Sequence, residues 1–131
     1  MSAEAKITIR MEVTGLGNEE ELSLKFTHSG TPTEVYKGYA VIGNTACNLD
    51  LGTITDTKLE GVLIIARVDK TYVLINDDGS GTPASSGNMV LDGASNEACY
   101  INLAGGLGSG KYIRVIGDAA TSAIEYFAFG T

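Results

Sequence analysis

The chain has 131 residues, which suits one domain, and a domain of this size buries roughly two thirds of the surface its unfolded chain exposes, so it needs no metal or disulfide staple. Acids outnumber bases 16 to 9 for a net charge of −7, and the bases are scattered from Lys6 to Arg114; phosphate-backbone binding needs them clustered, so nucleic acid is not an expected partner. Seventeen glycines, two prolines, six tyrosines and no tryptophan fit a turn-rich β protein.

Residues 1–5 read as a flexible N-terminal arm able to add to a neighbour's sheet. Met1–Lys6 shows no basic start followed by an apolar run, so no secretory signal is expected, and synthesis in a reducing cytosol follows from that reading. Over Lys6–Thr14, Ile7, Ile9, Met11 and Val13 alternate with Lys6, Thr8, Arg10 and Glu12, the period of two that belongs to a strand. Gly15–Glu21 is a turn in which Asn18 and Glu21 resemble a capping box for a single helical turn. Leu22, Leu24 and Phe26 then alternate with polar neighbours as a second strand, and Val35–Ile42 forms a third. Gly43-Asn44 turns the chain, and Cys47, Leu49 and Leu51 alternate again.

Leu59–Val68 is apolar on both faces, Asp69-Lys70-Thr71 breaks it, and Tyr72–Ile75 resumes it, which predicts a hairpin buried at the domain centre. Asn76–Asn88 is a long surface loop of turn formers. Met89–Leu91, Ala98–Leu103 and Lys111–Ile116 are further strands. Ala123–Phe129 reads as a closing strand, because Ile124, Tyr126 and Ala128 alternate with Glu125, Phe127 and Phe129; a helix capped by Asp118 and closed by Gly130 is the alternative. About 8–10 short strands in one domain spanning residues 1–131 predict an all-β antiparallel sandwich, of jelly-roll or Greek-key type. The longest apolar run, Val62–Ala66, is too short to span a bilayer, so no membrane association is expected.

Catalytic signatures are weak. Gly105–Lys111 matches the G-x-x-x-x-G-K part of a phosphate-binding loop, but Tyr112 replaces the metal-binding hydroxyl and the following residues are β-prone where the motif needs a helix. A flexible glycine-rich hairpin loop is the plainer expectation. Asn76–Gly81 resembles the start of a calcium loop, yet the position that should carry a bidentate Glu is Gly87. The single histidine, His28, stands beside Ser29-Gly30 at an expected exposed turn, no His/Cys cluster has zinc spacing, and Glu125 reads as an exterior acid. Hence no enzyme activity, cofactor or metal is expected. Cys47 and Cys99 read as reduced, buried thiols, with one disulfide as the alternative. Tyrosine suits interfaces as well as strands, which makes Tyr36, Tyr39, Tyr72 and Tyr112 candidate interface residues.

From Leu59 to Thr131 the chain has a distinctive cadence. Its elements are Thr71–Asn76, Val90-Leu91-Asp92-Gly93, Cys99–Leu103, Lys111–Gly117 and a terminal Ile124-Glu125-Tyr126. In this it resembles small β-sandwich structural proteins of tailed bacteriophage virions. The resemblance implies a capsid decoration, head–tail or tail accessory role, with self-association into a homo-oligomer and docking onto major capsid or tail proteins. It also implies location in the virion after assembly in the host cytoplasm, and it carries over no site residue. A glycan- or receptor-binding module, using the tyrosines and the Asn76–Asn88 loop, is the alternative function.

Overall fold

The structure is a computed structural model that describes the chain except residues 1, 2, 16, 18, 19, 85–87 and 104. The Asn18 capping-box reading lies outside the described residues. Strands β1 (Lys6–Val13) and β2 (Glu20–Thr27) form a two-stranded antiparallel ribbon. The eight that follow are β3 (Glu34–Val41), β4 (Cys47–Asn48), β5 (Leu59–Val68), β6 (Lys70–Asp77), β7 (Met89–Asp92), β8 (Ala98–Asn102), β9 (Tyr112–Gly117) and β10 (Ala123–Gly130). They build two four-stranded sheets with orders β3-β10-β5-β8 and β4-β9-β6-β7. Within these sheets only β6 and β7 are joined directly to a hydrogen-bonded neighbour; every other connection passes to the opposite sheet. That order is a jelly roll. Among the described residues no helix is long and apolar enough to cross a membrane.

The core lies between the sheets. Val62, Ile64 and Ala66 of β5 and Ile124, Tyr126 and Ala128 of β10 face Val73 of β6 and Ile113 and Val115 of β9, all buried. β10 is central, paired with β3 on one side and β5 on the other, so the C-terminal segment is a strand. Asp118 caps no helix: its Oδ1 accepts the Lys70 amide at 3.0 Å and so fixes the start of β6.

The predicted hairpin of Leu59–Val68 with Tyr72–Ile75 does not form. Both edges of β5 are occupied, by β10 and β8, while β6 pairs with β9 and β7 in the other sheet. A single residue separates the strands, and it is left-handed: Asp69 has φ 58°. One such residue redirects the chain across the sandwich, whereas a tight hairpin needs a two-residue turn. Gly93 locks this corner, donating its amide to the Asp69 carbonyl at 2.7 Å. A Cβ at Gly93 would stand 2.7 Å from the Val68 backbone and closer still to the Asp69 carbonyl oxygen.

The glycine-rich segment is likewise not a hairpin loop, since β8 and β9 belong to different sheets. It is pinned at several points. Leu107 is buried and donates its amide to Asp56 O at 2.9 Å, and the Gly108 amide donates to Asn76 Oδ1 at 2.8 Å. Gly110 N donates to Asp56 Oδ2 at 2.7 Å.

Candidate functional site

The two sequence motifs that suggested ligand chemistry are occupied by the chain itself. In the phosphate-loop lookalike, the amides of Gly108 and Gly110 go to Asn76 and Asp56, and Lys111 leads into strand β9, so no helix N-terminus is aimed at a phosphate. In the calcium lookalike, Asp77 Oδ2 accepts the amides of Gly79 and Gly81, at 2.8 and 2.9 Å, and Asp78 Oδ1 accepts the Ser80 amide at 3.0 Å. These are turn-forming carboxylates. Among the described residues, no group of three or more His, Cys, Asp or Glu side chains could hold a metal ion.

The tyrosines do not gather. Tyr36 lies between the sheets, stacked on Tyr126 with ring centroids 5.8 Å apart, and its hydroxyl donates to Asp50 Oδ2 at 3.1 Å. Tyr39 is 59% exposed on the outer face of the β3-β10-β5-β8 sheet. Tyr72 and Tyr112 lie on the outer face of the other sheet, Tyr72 half-buried between Val90 and Ile116 and Tyr112 exposed beside Gly79. The four candidates therefore occupy the interior and two opposite surfaces.

What the structure does gather is apolar surface. In the β1–β2 ribbon, the register sets Ile7 against Phe26, Ile9 against Leu24 and Met11 against Leu22, with Val13 against Glu20 at the far end. All point to one face, because in-register partners in an antiparallel pair share a side. The other face is polar, and there Arg10 bridges the like-charged cross-strand pair Glu12 and Glu21 at 2.9 and 3.0 Å. Alternation of this kind ordinarily marks a strand half-buried on a core. Here Ile7 and Phe26 at the base are half-buried, and the rest of the apolar half stays bare: Met11 is 66% and Leu22 74% exposed. We call this ribbon the arm.

A second apolar surface is the outer face of the β3-β10-β5-β8 sheet. The outward row of β3 is Val35, Lys37, Tyr39 and Val41, and Phe127 of β10 lies between Lys37 and Leu63 of β5. Val35 and Val41 are 60% and 67% exposed. Glu125 and Arg67 sit on this face as an ion pair with a 2.7 Å contact, and the guanidinium hydrogen bond holds the Glu125 carboxyl below its usual range. Glu125 is thus a partnered acid. Between the arm's base and this sheet runs a groove of about 980 Å³ lined by Ile7, Ile9, Val35, Leu63, Tyr100 and Phe127 among others. Beside it Phe26 of β2 meets Tyr100 of β8 edge-on, with centroids 6.3 Å apart.

The arm is mounted through His28, which is not the exposed turn residue its neighbours predict. It is 7% exposed, its ring stands edge-on to Phe129 at 5.3 Å, and its amide donates to Ala5 O at 2.8 Å. His28 Nε2 lies 3.9 Å from Glu60 Oε1. Gly30 lets that carboxylate approach, since a Cβ there would collide with Glu60 Oε1. Ala5 is tied at the foot of the arm by that bond, so the projecting element is the β1–β2 ribbon; residues 1 and 2 lie outside the described residues. Sequence reasoning found the arm's two strands and missed that their apolar side has no core to meet.

Cys47 and Cys99 are free and half-buried against the core. Burial pushes the Cys99 thiol up to about 11 and raises that of Cys47, so both hold their protons at neutral pH.

Comparison with protein-family models, with curated proteins and with solved structures finds no match for this chain.

Proposed function

We propose that this chain is a non-enzymatic structural protein of a tailed-bacteriophage virion, a capsid decoration, head–tail or tail accessory component, working by self-association and by docking onto a larger assembly. One observation carries the reading: a closed jelly roll whose own core is complete also presents two extended apolar surfaces. Met11, Leu22, Leu24, Val35, Tyr39 and Val41 are each more than half exposed. Completing their burial is worth about 1 kcal/mol apiece on a transfer scale, before the entropy cost of association. Patches of that kind on a soluble domain mark interaction surfaces. The cadence of the second half supports the virion assignment, and the jelly roll is a fold that capsid proteins use. The glycan-binding alternative has less support, because its candidate tyrosines share no surface.

Mass spectrometry of purified phage particles, from the phage whose genome encodes the chain, tests the assignment. The expected result is a constant copy number per particle that survives repeated gradient purification. Particles that lack the protein, together with a chain that stays monomeric in solution, would overturn it.

A further inference from the structure

We propose that the apolar face of the β1–β2 arm packs on the outer face of the β3-β10-β5-β8 sheet of a second copy of this chain. The inference rests on the assembly reading and specifies its contact.

Three observations point to a second copy as the occupant. First, a single copy leaves both halves of the contact uncovered. The bond from His28 to Ala5 and the packing of His28 on Phe129 hold the arm's foot against its own sheet, so Ile7 and Ile9 reach the groove and Phe26 meets Tyr100. Met11, Val13, Leu22 and Leu24, further along the ribbon, remain 47–74% exposed. So do Val35, Tyr39 and Val41 on the sheet, at 59–67%. Second, the surfaces match in kind: both present strand side chains alternating outward, and Val35, Tyr39 and Val41 of β3 with Phe127 of β10 give the sheet an apolar strip, crossed by Lys37 and Glu125, on which the arm's apolar row can lie. Third, the charges are complementary. Glu20 is the acid on the arm's apolar face, and Lys37 stands between Val35 and Tyr39 on the sheet face, near enough to Glu125 to favour its charged form but within salt-bridge distance of no acid among the described residues.

Such a contact is heterologous: one copy gives an arm and the next receives it. A closed ring, from a reciprocal pair upward, then covers every arm and every sheet face.

Complementation between two variants of the full chain tests this, read by sedimentation velocity. Met11→Lys with Leu22→Glu spoils the arm and leaves the sheet face intact; Tyr39→Lys with Val41→Glu does the reverse. Each new lysine faces a charge of opposite sign across the strands, at the Met11–Leu22 pair in the arm and at the Tyr39–Glu125 pair in the sheet. All four side chains are more than half exposed, so unchanged thermal melts are expected. Wild type should form a closed oligomer. Each variant alone should require at least about tenfold more protein to associate, because each loses large contacts at the centre of the interface. Mixed, the two variants should form a one-to-one pair and stop there, since only one intact arm meets one intact sheet face.

Charge reversal gives a milder second arm of the test: Lys37→Glu and Glu20→Lys should each weaken association, and the double variant should restore it. If wild type associates but the variants match it, or the mixture shows no pair and the charge-reversed double no recovery, the contact is overturned while the assembly reading stands. A wild-type chain that is monomeric at every concentration also overturns the contact, and particle mass spectrometry then decides the virion reading separately.

Discussion

At the corner between β5 and β6, one residue in the left-handed region and one residue without a side chain decide the path of the chain. Asp69 turns the backbone, and Gly93 fits against Asp69 and Val68 where the neighbours are backbone atoms that cannot rotate aside. Gly93→Ala should therefore cost about 1–3 kcal/mol, the range for overpacking a filled site, and a lowered urea midpoint with unchanged slope would show it. Cys99 sets a different residue-scale expectation. Its folded pKa of about 11 lies above the ordinary value of 9.0 because burial disfavours the thiolate. The folded protein keeps that proton while an unfolded chain loses it, so the stability involved is fully present below about pH 9 and is lost as pH rises through about 11. Burial raises Tyr126 and Tyr100 in the same direction. Melting temperature should fall steadily across that alkaline window, and Cys99 in the native protein should resist alkylation at pH 8; rapid labelling there would contradict its burial.

Both β2, which alternates, and β5, which is apolar on both faces, read as strands, yet the two elements meet different surroundings. Ile64 in β5 is fully buried, and Ile64→Ala should cost about 2–5 kcal/mol through lost transfer energy and a residual cavity. Leu22 in β2 is 74% exposed, and Leu22→Ala should change stability by less than about 0.5 kcal/mol. Chemical denaturation of both variants checks the contrast. Alternation in the sequence made the strands legible, β10 included, because that pattern is local. It did not distinguish a face buried in this chain from one left exposed. It also placed β5 and β6 in one hairpin, since proximity in sequence is a fair guide to pairing except where a single left-handed residue sends the chain across the sandwich. His28 was misread for a related reason: its turn-forming neighbours describe the backbone, whereas its burial is set by Phe129 and Glu60, distant in the chain.

For the molecule as a whole, the strand count and absence of long helical periodicity were enough to give an all-β antiparallel sandwich, and the jelly-roll order follows from pairings such as β3 with β10 and β4 with β9 that no local signal encodes. The feature on which the proposed function rests is of the same non-local kind. A finished core accompanies a ribbon and a sheet whose outward apolar side chains are exposed in the single chain. A lone two-stranded ribbon is marginal in water, so cover from a neighbour should also order the arm, and amide hydrogen exchange in β1 and β2 should slow as protein concentration rises. The most direct measurement is the mass of the wild-type chain by sedimentation equilibrium over a wide concentration range. A closed oligomer of fixed stoichiometry that dissociates on dilution is the predicted result; a monomer of 13.6 kDa at every concentration would contradict self-association.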